Sequence, residues 1–85
     1  MKSKTPETAF RDYAVYLLHK AAALGVNADS RIVRELREYK LSGVVLGSFG
    51  KDQLREKEKF FHDAHKTIVD YAKIKGSTII IKPFA

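Results

Sequence analysis

Gly76-Ser77-Thr78-Ile79-Ile80-Ile81-Lys82-Pro83-Phe84-Ala85 is the stretch whose reading decides the fold. Three consecutive isoleucines between turn residues read as a β-strand, because β-branched side chains pack well on a pleated surface. A strand with one wet face alternates apolar and polar residues. Ile79, Ile80 and Ile81 do not alternate, so both faces are expected to need cover. That cover has to come from earlier in the chain or from a second copy. Pro83 blunts the end of the strand but leaves the edge beside Ile79 to Ile81 unprotected. Ile79, Ile80 and Ile81 are therefore expected at a homodimer interface.

The segment before this stretch reads as a long helix, about Lys51 to Lys75, with Phe60, Phe61, Ala64, Ile68, Tyr71 and Ala72 on one apolar face. Gly76 suits its C-terminal stop. Its first two turns, Asp52 to Lys59, offer only Leu54 to a core. Further back, Leu41 to Leu46, with Val44-Val45-Leu46 at its centre, reads as a shorter strand. Near the start, Thr5-Pro6-Glu7 is a helix-start signal. Phe10, Ala14, Leu17, Leu18, Ala21 and Leu24 follow at helical spacing, and Gly25 with Val26 makes a stop. A second helix, about Ala28 to Lys40, is capped by Asn27 or Asp29 and buries Ile32, Val33, Leu36 and Tyr39. The expected fold is thus a small α+β domain of order α-α-β-α-β. Its two-stranded sheet is marginal alone and sturdier as four strands across a dimer. Residues 1–4 are expected to form a mobile basic tail and residues 5–85 the single domain.

Composition bounds the chemistry. Eighty-five residues suffice for one domain with a modest core. There is no cysteine, which excludes a disulfide, a thiolate nucleophile and a cysteine-based zinc site. No apolar h-region follows Met1-Lys2-Ser3-Lys4, and no apolar run is long enough to span a bilayer, so a cytoplasmic protein is expected. Sixteen Lys and Arg against ten Asp and Glu give a net charge of +6. That excess invites an anionic partner: nucleic acid, a membrane surface or an acidic protein, of which the membrane is not the expected one. It is spread along the chain, with no polybasic block.

Four constellations are candidates for function. The first is the pair of N-terminal helices as a helix-turn-helix, in which Ala21, Gly25 and Val26 fit the turn. The next apolar positions of that motif fall on Arg31 and Arg34, which departs from it. If the motif held, Arg31, Arg34 and Arg37 would face a DNA groove, arginine being suited to guanine edges and phosphates. The competing reading is an ordinary helical hairpin with a solvated arginine face. The second candidate is a ridge on the long helix: Arg55, Lys59, His62, Lys66 and Lys73 share one stripe, flanked by Asp52, Asp63 and Asp70. The competing reading is a solvated face laced with intrahelical ion pairs along Arg55-Glu56-Lys57-Glu58-Lys59. The third is Gly47-Ser48-Phe49-Gly50-Lys51, an anion-binding loop ahead of a helix N-terminus, with Lys51 adding charge. It lacks the first glycine and the final Ser/Thr of a phosphate-binding loop, Val45 and Asp52 standing there. Phe49 in it is a cap on the core or an anchor for a partner. The fourth is His62 and His65, a metal pair without an evident third ligand.

No nucleophile elbow or carboxylate pair is visible, so no catalytic residue, metal or cofactor is assigned. No resemblance to ribbon-helix-helix, winged-helix, histone-like or RNA-binding α/β proteins extends beyond one element. The expectation is a non-catalytic, dimeric DNA-binding protein of transcription regulation. Its contacts would come from Arg31, Arg34, Arg37, Lys51, Arg55, Lys59, Lys66 and Lys73. The alternative is a protein-interaction or inhibitor module of the kind phage or plasmid accessory proteins provide, binding through Phe49 and Leu54.

Overall fold

The computed structural model describes residues 6–42 and 51–84, which form three helices and an extended C-terminal segment. The helices are α1 (Pro6–Ala23), α2 (Arg31–Ser42) and α3 (Lys51–Ile74). Their apolar faces are those the helical periodicity marks. Phe10, Ala14, Leu17, Ala21 and Leu24 are buried from α1 and its end, Val33 and Leu36 from α2, and Phe61, Ala64, Ile68 and Ala72 from α3. Pro6 opens α1, where its missing N–H costs nothing.

Both long helices stop in the same way. After α1, Val26 N–H bonds to Ala21 C=O and Gly25 N–H to Ala22 C=O. After α3, Ser77 N–H bonds to Ala72 C=O and Gly76 N–H to Lys73 C=O. These are Schellman closures, and they need a left-handed residue. Gly25 at φ 72° and Gly76 at φ 68° supply it. The start of α2 differs from the sequence expectation. Ser30, whose C=O accepts from Arg34 N–H, takes the N-cap position. Asn27 instead builds the preceding turn, its Oδ1 accepting from Asp29 N–H at 2.8 Å.

Helix α1 is the centre of the assembly, packing against both α2 and α3. Helix α2 meets α3 at a ring cluster, with Tyr39 5.1 Å from Phe60 and 4.8 Å from Phe61. Phe10 stacks on Phe61 at 5.4 Å, and Lys75 Nζ lies 3.5 Å from where a Cβ on Gly25 would stand, so α1 and α3 run in the same direction.

The expected α+β architecture is corrected by this structure: among the described residues there is no strand and no sheet. Of the shorter expected strand, Leu41 and Ser42 belong to α2, while Val44 to Leu46 lie outside the described residues. Residues 77–84 form a strap that runs back along the groove between α1 and α3. Phe84 ends stacked on Phe10 at 5.4 Å and on Phe61 at 5.5 Å. Extended chain is what the geometry requires. The eight steps from Gly76 to Phe84 reach about 26 Å extended, against about 22 Å of helix from Phe61 to Gly76.

The two demands that suggested a sheet are met differently. Burial along the strap has period two: Ile81 is 8% exposed and Ile79 half-buried, while Ile80 is 78% exposed. A surface isoleucine is tolerated without cover, as Ile74 also shows at the end of α3. The backbone edges are paired by helix side chains. Tyr13 Oη–H donates to Lys82 C=O at 2.7 Å, and Lys82 N–H donates to Tyr16 Oη at 2.8 Å. The two tyrosines thus hold both peptide groups of one residue, as a neighbouring strand would. His65 Nε2 lies 3.0 Å from Ile81 C=O on the other side. A carbonyl only accepts, so Nε2 is the protonated nitrogen. The sheet expected to carry a dimer through Ile79, Ile80 and Ile81 is absent among the described residues.

Candidate nucleic-acid interface

The cations of α3 stand where the helical period places them. Arg55, Lys59, Lys66 and Lys73 are all exposed, as is His62. The ridge runs about 27 Å from Arg55 to Lys73 at the helical rise. None of these four cations forms an ion pair among the described residues, where the pairs are Arg11–Asp12 at 3.4 Å and Arg31–Glu35 at 2.9 Å. Arg55 and Lys59 therefore do not enter the ion-pair lacing of the competing reading among the described residues. Lys57 Nζ lies 5.2 Å from the centre of the Tyr39 ring. Lys51 is the first residue of α3.

Arg31, Arg34 and Arg37 are likewise exposed on α2. The connection from Leu24 to Ser30 is seven residues, longer than the three or four residues of a helix-turn-helix turn. The spacing of that motif is not met, in keeping with the arginines at its apolar positions. Arg31 is tied to Glu35 through Nε.

The α2 arginines and the α3 ridge are not brought onto one surface. Phe60 marks the flank of α3 that meets Tyr39 of α2. At about 100° per residue, the ridge cations lie about 100–140° round from Phe60. They lie within about 60° of His62, and the His62 ring packs edge-on to Phe84 at 6.3 Å. The ridge therefore lies opposite the buried face of α3, and His62 links it to the strap.

Two lysines that the periodicity does not reveal stand on this strap side. Lys82 is exposed, its backbone held by the tyrosine pair. Lys20 Nζ sits 5.3 Å from the centre of the Tyr16 ring, the same ring whose hydroxyl holds Lys82. Neither belongs to the α3 stripe in sequence. The one available signal was the lone lysine after the isoleucines. Asp12 lines a concavity of about 320 Å³ here with Tyr13, Tyr16, Lys82 and Pro83.

Comparison with family models, with curated proteins and with solved structures finds no match. The site's own chemistry must then carry the functional reading. Burial, and secondarily the neighbouring Tyr16, push the Tyr13 hydroxyl up to about 12, so it stays a donor to Lys82 across the ordinary pH range. His62 and His65 acquire no third ligand: no group of three His, Asp or Glu side chains suited to a metal occurs among the described residues. No helix among them is long and apolar enough to cross a membrane. Leu54 is half-buried and packed on the core, lining a concavity of about 200 Å³ with Phe10, Glu58 and Phe84. Phe49 and the rest of the Gly47–Gly50 loop lie outside the described residues.

Proposed function

We propose that this is a non-catalytic nucleic-acid-binding protein that docks on the DNA phosphate backbone through the α3 ridge. The observation that supports the reading is the row Arg55, Lys59, Lys66 and Lys73, exposed and without ion pairs among the described residues. Cations that keep no partner in the protein can release counterions from a polyanion at no internal cost. Regulation of transcription through such docking is the wider role proposed. Sequence readout, where present, would fall to Arg34 and Arg37 on α2, on a separate face from the ridge.

The test is a salt titration of duplex binding by fluorescence anisotropy. Four phosphate contacts give a log–log slope of about −3.6. Lys59→Glu/Lys66→Glu should abolish binding, while Arg34→Glu/Arg37→Glu should leave most of it. A flat slope in the wild type sinks the proposal. The reverse order of the two variants moves the site to α2. The alternative, a protein-interaction module using Leu54, has less support, because Leu54 is turned to the core and its substitution would probe stability first.

A further inference from the structure

We propose that Lys82 and Lys20 complete the phosphate-binding face, and that Tyr13 and Tyr16 are the positioning residues that hold Lys82 in it. This rests on the reading of the α3 ridge as a nucleic-acid interface and extends it across the strap to α1.

The argument is one of placement. A lysine on extended chain outside any helix is ordinarily a poor phosphate ligand, because ordering its backbone on binding costs about 1–2 kcal/mol per residue. Lys82 is ordered in advance. Its C=O accepts from Tyr13 and its N–H donates to Tyr16, at 2.7 and 2.8 Å. Ile81 before it is buried, and Phe84 after it stacks on Phe10 and Phe61. In an extended chain, side chains alternate between faces. With Ile81 turned into the groove, Lys82 is directed outward, and it is exposed.

Basic side chains stand on both sides of it, with Asp12 among them on α1. On the α3 side, His65 bonds to Ile81 C=O and His62 faces Phe84, and Lys59 and Lys66 are next to them on the helix surface. On the α1 side, Lys20 lies over the Tyr16 ring. The strap thus lies between the cation row of α3 and the single lysine Lys20 on α1. A single row of charges tracks one strand of phosphates; cations set beside the row suit a duplex, whose two phosphate strands flank a groove. Asp12 lies at the edge of the face beside Tyr13 and Tyr16, and Arg11 partly offsets it at 3.4 Å.

The experiment uses the full chain and a random-sequence DNA duplex, with anisotropy read at several salt concentrations. Lys82→Gln and Lys20→Gln should each make the slope shallower by about 0.9, so that the loss of affinity between about 50 and 200 mM salt shrinks roughly 3.5-fold per variant. Lys82→Arg should restore the wild-type slope. Tyr13→Phe/Tyr16→Phe should flatten the slope as Lys82→Gln does, although it changes no charge. That outcome marks positioning rather than a general electrostatic effect. If the double variant loses helicity by circular dichroism, Tyr16→Phe alone, which keeps the Tyr13 bond, replaces it. A wild-type slope in Lys82→Gln and in the tyrosine variant overturns this inference and leaves the ridge reading intact. A wild type that ignores the duplex but binds phosphatidylglycerol vesicles overturns both.

Discussion

Replacing Ile81 by alanine should cost far more than replacing Ile80, although the two are neighbours of identical type. Ile81 is 8% exposed and faces the α1–α3 groove, whereas Ile80 is 78% exposed. Truncating a buried isoleucine costs about 2–5 kcal/mol, the larger values arising where the surroundings cannot relax. Ile81 sits on extended chain that packs by one face only, with Ile80 turned outward, so the site can settle and the lower part applies: about 2–3 kcal/mol. For Ile80 the change should stay within about 0.5 kcal/mol, as for surface sites away from special features. In a domain of this size the Ile81 cost corresponds to a fall in Tm of roughly 10–20 °C. Urea unfolding followed by far-ultraviolet circular dichroism measures both variants, with an unchanged m-value showing that the same surface unfolds. The loss is bounded by the free energy of docking the strap. Once the strap detaches, further weakening no longer reaches the helices, and it shows instead as faster hydrogen exchange at Lys82 N–H, which Tyr16 now holds. Equal costs at Ile80 and Ile81, or a larger one at Ile80, would refute the period-two strap and return the segment to a structure covered on both faces.

Three further outcomes follow from the same packing. Gly76→Ala should cost about 1–2 kcal/mol by backbone strain alone, since its φ is 68° and a Cβ there meets nothing within 4 Å; Gly76→Asn should cost less, and chemical denaturation separates the two. Ser30→Ala should be near neutral in the same assay, against about 1 kcal/mol for a working N-cap serine, because Ser30 Oγ is buried with no hydrogen-bond partner. Tyr13 is pushed up to about 12 from its usual 10.0 by burial first and Tyr16 second. The unfolded chain therefore loses this proton first, so the stabilisation is whole below pH 10 and drains away as pH rises towards 12. Stability-versus-pH curves of the wild type and Tyr13→Phe should converge over that window, and parallel curves would show that Tyr13 is not held in the protonated form.

The helices were legible because their signals are local. The repeats Phe10–Ala14–Leu17–Ala21 and Phe61–Ala64–Ile68–Ala72 are set by the 3.6-residue turn, and the stops at Gly25 and Gly76 by the need for a positive φ. The strap was not legible for the opposite reason. Ile79-Ile80-Ile81 signals extended backbone, and the backbone is extended, but what pairs with it is decided by residues more than sixty positions earlier. Nothing in the isoleucine run says that tyrosine hydroxyls will take the place of a neighbouring strand. The rule that an unbroken apolar run needs cover on both faces also failed locally, because one exposed isoleucine costs too little to force a partner. For the candidate site, the helical period found Arg55, Lys59, Lys66 and Lys73 but could not say that His62 links them to the strap. The separation of Arg31, Arg34 and Arg37 from that ridge likewise depends on which flank of α3 meets Tyr39.

The apolar character of α1 ties these observations together. A helix that packs on one neighbour needs one apolar stripe, yet α1 carries Leu18 and Ala22 towards α2, Phe10, Ala14 and Leu17 in the core, and Tyr13 and Tyr16 towards the strap. The tyrosines are the economical choice for that last flank, because each offers a ring to cover apolar surface and a hydroxyl to satisfy the strap's backbone. The same two hydroxyls fix the position of Lys82, so strap docking and the charge of the face are coupled. A variant that undocks the strap, such as Ile81→Ala, should lower stability and phosphate contact together, whereas Lys82→Gln should lower phosphate contact alone. If Ile81→Ala loses stability while keeping the wild-type salt slope, the strap serves only the core, and the face reduces to the α3 ridge.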